Sequence, residues 1–97
     1  MRDIKERDVV KALKTRVKQL GGTVRKVRWI GRRNAPDLLV MWIDKKRLRN
    51  AVWIEAKAPG ENPTAAQHRE HARMRSYGMR VAVVDSLESV DNLLGLS

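Results

Sequence analysis

The chain has 97 residues, which suits one domain and leaves no room for two. It carries 21 Lys and Arg against 11 Asp and Glu, a formal charge of +10. That excess favours a polyanionic partner, because clustered cations replace the counterions condensed on phosphates. The absence of cysteine excludes disulfides and zinc–thiolate sites. No apolar run approaches the roughly 20 residues of a membrane span, and the charged start MRDIKERD has no apolar signal core. No long basic amphipathic helix offers itself to an anionic membrane surface. A soluble, intracellular protein is expected, with a core small enough that a partner subunit would help it.

The first expected element is a helix from about Arg2 to Leu20, with Val10, Leu13, Val17 and Leu20 recurring at three- and four-residue spacing. Gly21-Gly22 supplies its stop. Thr23 to Ile30 alternates β-branched and basic residues and reads as a strand. Gly31 to Pro36 (GRRNAP) is a basic turn. Leu38 to Ile43 (LLVMWI) is a short apolar run of the kind found in central strands. The polar stretch Asp44–Asn50 joins it to a third strand, Ala51–Lys57, so these two should form an antiparallel hairpin. After the loop APGENP, Thr64 opens a second helix that ends at Gly78. Arg80–Asp85 is a fourth strand, and Ser86 caps a last short helix carrying Val90, Leu93 and Leu94. A helical crossover between the third and fourth strands makes that pair parallel. The expected fold is α/β: an α-β-β-β-α-β-α mixed sheet flanked by helices.

The chemistry concentrates at Glu55-Ala56-Lys57. Side chains at i and i+2 of a strand share a face, so Glu55 and Lys57 point together with Trp53, opposite the apolar Val52, Ile54 and Ala56. Asp37 precedes the second strand, and the hairpin can bring it beside Glu55. Two carboxylates and a backbone carbonyl, that of Ala56, are hard oxygen donors suited to Mg²⁺ or Mn²⁺. Such an ion polarises a phosphate and helps ionise water, with Lys57 placed to orient or deprotonate that water and to stabilise developing negative charge. Taken singly, each residue has a plainer reading: a Glu55–Lys57 surface ion pair, and Asp37 as a turn residue after proline. Together, in a protein of +10, they favour phosphodiester chemistry. Glu6 lies four residues before Val10, on the face of the apolar stripe. From spacing alone it is better read as a solvated first-turn acid favouring the helix dipole.

Pro36-Asp37 followed by Glu55-Ala56-Lys57 resembles the PD-(D/E)xK nuclease signature. The stretch RWIGRRNAPD (28–37) and the stretch from Lys57 to Ser86 resemble the VRR-NUC branch of that superfamily, and the likeness covers nearly the whole chain. The core signature alone is short; the flanking blocks in order make it specific. The resemblance implies a restriction-endonuclease-like core. It also implies a third catalytic acid in the first helix, matched by Glu6, acting on the metal directly or through water. A Gln in the helix after the E-x-K strand is matched by Gln67, although Thr64-Ala65-Ala66-Gln67 is equally a capping box. His71 reads as a structural histidine and His68 as exposed. Asn34 stands where similar sequences often have glycine, and it too tolerates positive φ.

Arg25, Lys26, Arg28, Arg32 and Arg33 lead into the site and suit backbone phosphates. A second basic run, Lys45, Lys46, Arg47 and Arg49, is as readily a solvated hairpin tip. Neither run interleaves aromatics in the way that reads single-stranded bases, and Trp29, Trp42 and Trp53 are better placed in core or interface. Recognition of DNA shape is expected over recognition of a base motif. The resemblance further implies a structure-selective DNA endonuclease using Mg²⁺ or Mn²⁺. Its expected setting is a homodimer on branched DNA such as Holliday junctions, in the cytoplasm of a bacterial or phage-infected cell. Two other functions stay open: a non-catalytic DNA-binding module, and a nuclease subunit of a larger DNA-processing machine.

Overall fold

The computed structural model describes residues 3–96. Helix α1 spans Glu6–Gln19. The helical start expected at Arg2 lies outside the described residues. Lys5 is the N-cap, and its N–H donates to the Asp8 carboxylate at 2.9 Å. The buried row is Val9, Leu13 and Val17, each fully enclosed, with Val10 and Leu20 half-buried beside it. The apolar face is thus centred on Val9, not on Val10. Two adjacent valines made the two phases equivalent in the sequence.

Gly21 takes the left-handed conformation (φ +78°), ending the helix as expected. Gly22 is needed for a different reason. A Cβ there would stand 2.5 Å from the Met41 carbonyl oxygen and 2.8 Å from Trp42 Cβ. The chain therefore passes into the sheet at a distance only glycine permits.

Four strands follow: β1 (Thr23–Lys26), β2 (Leu38–Ile43), β3 (Arg49–Ala56) and β4 (Val81–Val84), side by side in that order. The first three are antiparallel and β3–β4 is parallel, as the hairpin and the helical crossover require. Helix α2 (Ala65–Ser76) makes the crossover and α3 (Leu87–Leu94) closes the chain. Ser86 caps α3 by accepting from the Ser89 N–H at 3.0 Å. The order α-β-β-β-α-β-α is the one the sequence predicts.

Two strand boundaries differ from expectation by two residues or more, and the others by at most one. β1 ends at Lys26 and does not run to Ile30. Val27 donates one last bond to the Asp37 carbonyl at 2.7 Å, after which the chain leaves the sheet and Ile30 is almost wholly exposed. β3 starts at Arg49, two residues early, because the tip of the hairpin is tight. There the Asp44 carboxylate accepts from the N–H groups of Lys46 (2.9 Å) and Leu48 (3.0 Å) and from Asn50 Nδ2 (3.1 Å). Arg47 adopts φ +63° within that turn.

The alternation of β2 and β3 divides the sheet into two faces. Leu38, Val40 and Trp42 pack with Val52, Ile54 and Ala56 beneath α1 and α3, in one apolar cluster that also takes Val84, Val90 and Leu94. An Arg16–Asp91 ion pair ties the two helices together. α2 crosses the opposite face, burying His71 and Met74 and fixed at its far end by Arg75, whose guanidinium donates to the Val81 carbonyl at 2.8 Å. Among the described residues no helix is long and apolar enough to cross a membrane.

Candidate active site

The site is assembled where β2 begins and β3 ends. Leu38 pairs with Ile54 across the antiparallel ladder. One step further along the same register sets Asp37 opposite Glu55, and directly opposed residues share a face. The backbone around Asp37 is held from three sides. Pro36 is fully buried, its carbonyl accepts from Trp29 Nε1 at 2.9 Å, and the Asp37 carbonyl accepts from Val27. Trp29 in turn packs on Trp53, ring centroids 4.9 Å apart and tilted by 45°. The Asp37 residue itself stays exposed on this fixed backbone.

A cleft of about 340 Å³ opens at this end of the sheet. Asp37, Glu55 and Ala56 form its floor. Glu6 and Lys14, about two turns apart on α1, line one side with Lys26 of β1, and Gln67 from the first turn of α2 lines the other. Four of the five residues expected to act together are therefore in one cleft: Glu6, Asp37, Glu55 and Gln67. Lys57 is not among the lining residues. It is half-buried one position beyond β3, where its N–H continues the parallel ladder to the Val84 carbonyl at 2.9 Å.

Glu55 is mostly buried, its side chain 14% exposed, and its Oε1 lies 3.3 Å from Nε2 of the fully buried His71. The other ring nitrogen, Nδ1, has no hydrogen-bond partner among the described residues. A buried N–H without an acceptor costs about 1–3 kcal/mol. The favoured tautomer therefore carries its proton on Nε2 and donates it to Glu55. Gln67 does two things. Its Oε1 accepts from the Thr64 N–H (2.9 Å) and its own N–H donates to Thr64 Oγ1 (3.1 Å), the reciprocal capping box, while the residue also lines the cleft. The capping bond occupies the amide oxygen and leaves the NH₂ end for other contacts.

The donor set suits a hard divalent cation. Carboxylate oxygens come from two adjacent strand ends, and the Ala56 main chain follows Glu55 along the same cleft. Glu6 stands on the facing wall. Among the described residues no group of three or more His, Asp and Glu side chains draws together around one point; Asp37 and Glu55, on adjacent strand ends, are the pair that could hold an ion directly, with Glu6 across the cleft.

No family model matches the chain. It is 43% identical over 86 residues to the protein named "Putative nuclease p44" of Acyrthosiphon pisum secondary endosymbiont phage 1, covering 89% of this chain and 88% of that one. It also superposes on a solved structure described as a VRR_NUC domain with a TM-score of 0.74 and 41% identity, over 95% of this chain and 96% of the other. The chain belongs to the VRR-NUC nuclease family. Both likenesses run nearly end to end, so they include α1 and α2 as well as the strands that bear the acids.

Within this VRR-NUC fold the basic residues separate into groups. Lys26 enters the acidic cleft. Arg32 and Arg33 line a neighbouring pocket. Arg25 and Arg28 are exposed but line neither. Lys45, Lys46 and Arg47 lie at the far end of the hairpin, one six-residue strand from Asp37, which at 3.4 Å per residue is roughly 20 Å. Sequence reasoning did not select Lys14. Its signal was available, since Lys14 falls eight residues after Glu6 and so lies on nearly the same helical face. Helical spacing turns His71 inward with Gln67 and Met74, as observed, but its contact with Glu55 joins α2 to β3 across the face of the sheet and has no signal in either segment alone.

Proposed function

We propose that this VRR-NUC chain is a Mg²⁺- or Mn²⁺-dependent endonuclease that hydrolyses DNA phosphodiester bonds, its 97 residues acting as one nuclease domain. The observation that carries the reading is the register: Leu38 opposite Ile54 puts Asp37 and Glu55 side by side on the floor of a cleft. Asp37, Glu55 and the Ala56 carbonyl would hold the ion, which when bound polarises the phosphate and lowers the pKa of its water. His71 orients the Glu55 carboxylate by donating to Oε1. Glu6 positions water from the opposite wall. Lys57 shares the face of Glu55, and its four-carbon stem can carry the ammonium to the attacking water or to the charge developing on the phosphate. Lys14 and Lys26 offset the charge of the incoming phosphodiester. Gln67 offers its free NH₂ to the substrate.

The substrate we propose is branched DNA such as a Holliday junction, cut by a homodimer. Two-fold symmetry presents two equivalent sites to two strands, and a chain this short gains buried surface by pairing. Recognition is of shape, since the basic residues suit phosphates and not base edges. A cytoplasmic setting in a bacterial or phage-infected cell agrees with this substrate.

The test is a panel of digests on linear, flap, fork and four-way junction DNA, with Mg²⁺, Mn²⁺ or EDTA, alongside sizing chromatography. Cleavage that requires the metal and is strongest on the junction, by a dimer, is the expected result. Binding without cleavage in either metal would replace the enzyme with a DNA-binding module. A monomer inert on every branched substrate would point to a subunit of a larger machine.

A further inference from the structure

A second pocket, of about 230 Å³, adjoins the acidic cleft, and Asn34 lines both. One wall is the turn from Gly31 to Asn34, bracketed by two left-handed residues (φ +70° at Gly31, +68° at Asn34) that present Arg32 and Arg33 outward. The other wall is a face of α2, where Ala66, Arg69, Glu70 and Arg73 recur at helical spacing. Four guanidinium groups thus surround one pocket that holds a single acid. Glu70, its side chain 11% exposed, lies 3.7 Å from Arg32 and 3.6 Å from Arg73. Arg33 and Arg69 have no ion pair among the described residues.

We infer that this pocket is a second, non-scissile phosphate site for the DNA strand being cut, with Arg69 and Arg73 of α2 completing the grip begun by Arg32 and Arg33. The guanidinium fork matches the oxygens of a phosphodiester, and it does so without regard to base identity. The small Ala66 leaves the floor open between the two walls. Glu70 holds Arg32 and Arg73 toward one another across the pocket, so that turn and helix close on the same phosphate. Asn34, shared by both cavities, marks the path along which one strand passes from the acids to the arginines. The inference rests on the nuclease reading above and adds to it a contact on α2, outside the acidic cleft.

The experiment measures binding of four-way junction DNA in EDTA by fluorescence anisotropy at several salt concentrations, and cleavage rates with Mg²⁺. The exposed pair R69Q/R73Q is compared with K45Q/K46Q, a charge-matched change at the far end of the hairpin. Each lost phosphate contact lowers the slope of log K against log salt by about 0.9. The arginine pair should lower it by about 1 to 2, and raise KM about tenfold at physiological salt while kcat holds. K45Q/K46Q should do neither. If wild-type protein cuts DNA and R69Q/R73Q matches it in slope and KM, or K45Q/K46Q loses as much, the second site is overturned and the nuclease stands. If wild-type protein neither binds nor cuts, both fall together.

Discussion

The β2–β3 hairpin carries an aspartate at each end, and the two are used differently. At the closed tip, the Asp44 carboxylate is fully engaged by the N–H groups of Lys46 and Leu48 and by Asn50 Nδ2. At the open end, no hydrogen bond to the Asp37 carboxylate is found among the described residues, although its backbone is held by Val27 and its neighbour Pro36 by Trp29. Both are acids on one hairpin in a basic protein, Asp44 half-buried and Asp37 exposed. A carboxylate whose lone pairs are occupied by its own turn is a structural cap. One whose backbone is fixed while its oxygens stay open is prepared for a ligand.

That contrast can be broken most sharply at the open end. Asp37→Asn and Glu55→Gln should each reduce cleavage by about 10²- to 10³-fold, the range seen when a group stabilising transition-state charge is removed, with DNA binding in EDTA largely kept. Wild-type cutting by either variant in a single-turnover assay would void the site assignment. Lys57→Ala should lower kcat by about 10²-fold and leave the metal concentration for half-activity unchanged. A shift in that concentration would make Lys57 a charge that shapes the metal site instead.

His71→Ala should raise the metal concentration for half-activity by about 10- to 100-fold, the usual cost of losing a partner that orients a ligand. His71→Gln, which keeps a donor near Glu55, should recover part of it. A purely structural role would lower thermal stability in both variants without moving the metal titration.

The smallest effect belongs to the closed tip. Asp44→Ala should lower the melting temperature slightly and leave cleavage untouched. The Asn50 side chain, and after it the Leu48 N–H, hold the Asp44 carboxyl below its ordinary 3.8. A carboxyl held low stabilises the fold above its unfolded pKa and loses that contribution as the pH falls through the folded value. The difference between wild type and variant in a melting series should therefore be constant near neutrality and shrink only on the acid side of about pH 4.

Much of this architecture was legible in the residues. The two-residue alternation of VWIEAK fixed the faces of β3, and the hairpin implied by DKKRLRN brought Asp37 to Glu55. The helical crossover from Thr64 to Gly78 made β4 parallel. Glu6 was placed by family resemblance more than by spacing, and the structure brings it to the wall of the same cleft. What escaped depends on contacts remote in the chain. Alternation suggested a strand to Ile30, but the packing of Trp29 on Trp53 takes the chain out of the sheet. The buried contact of His71 with Glu55 and the arrangement of Arg69 and Arg73 opposite Arg32 arise only once α2 has crossed the sheet.

The segment from Val27 to Asp37 is tied shut at its base by the Val27 N–H to Asp37 carbonyl bond and by Trp29 on the Pro36 carbonyl. Everything between those knots hangs outside them. Residues 30–35 can therefore change in sequence, and even in length, without displacing Asp37, because a surface loop absorbs insertions at little cost. Variation written into those few loop codons would leave the backbone at Asp37 where the two knots hold it.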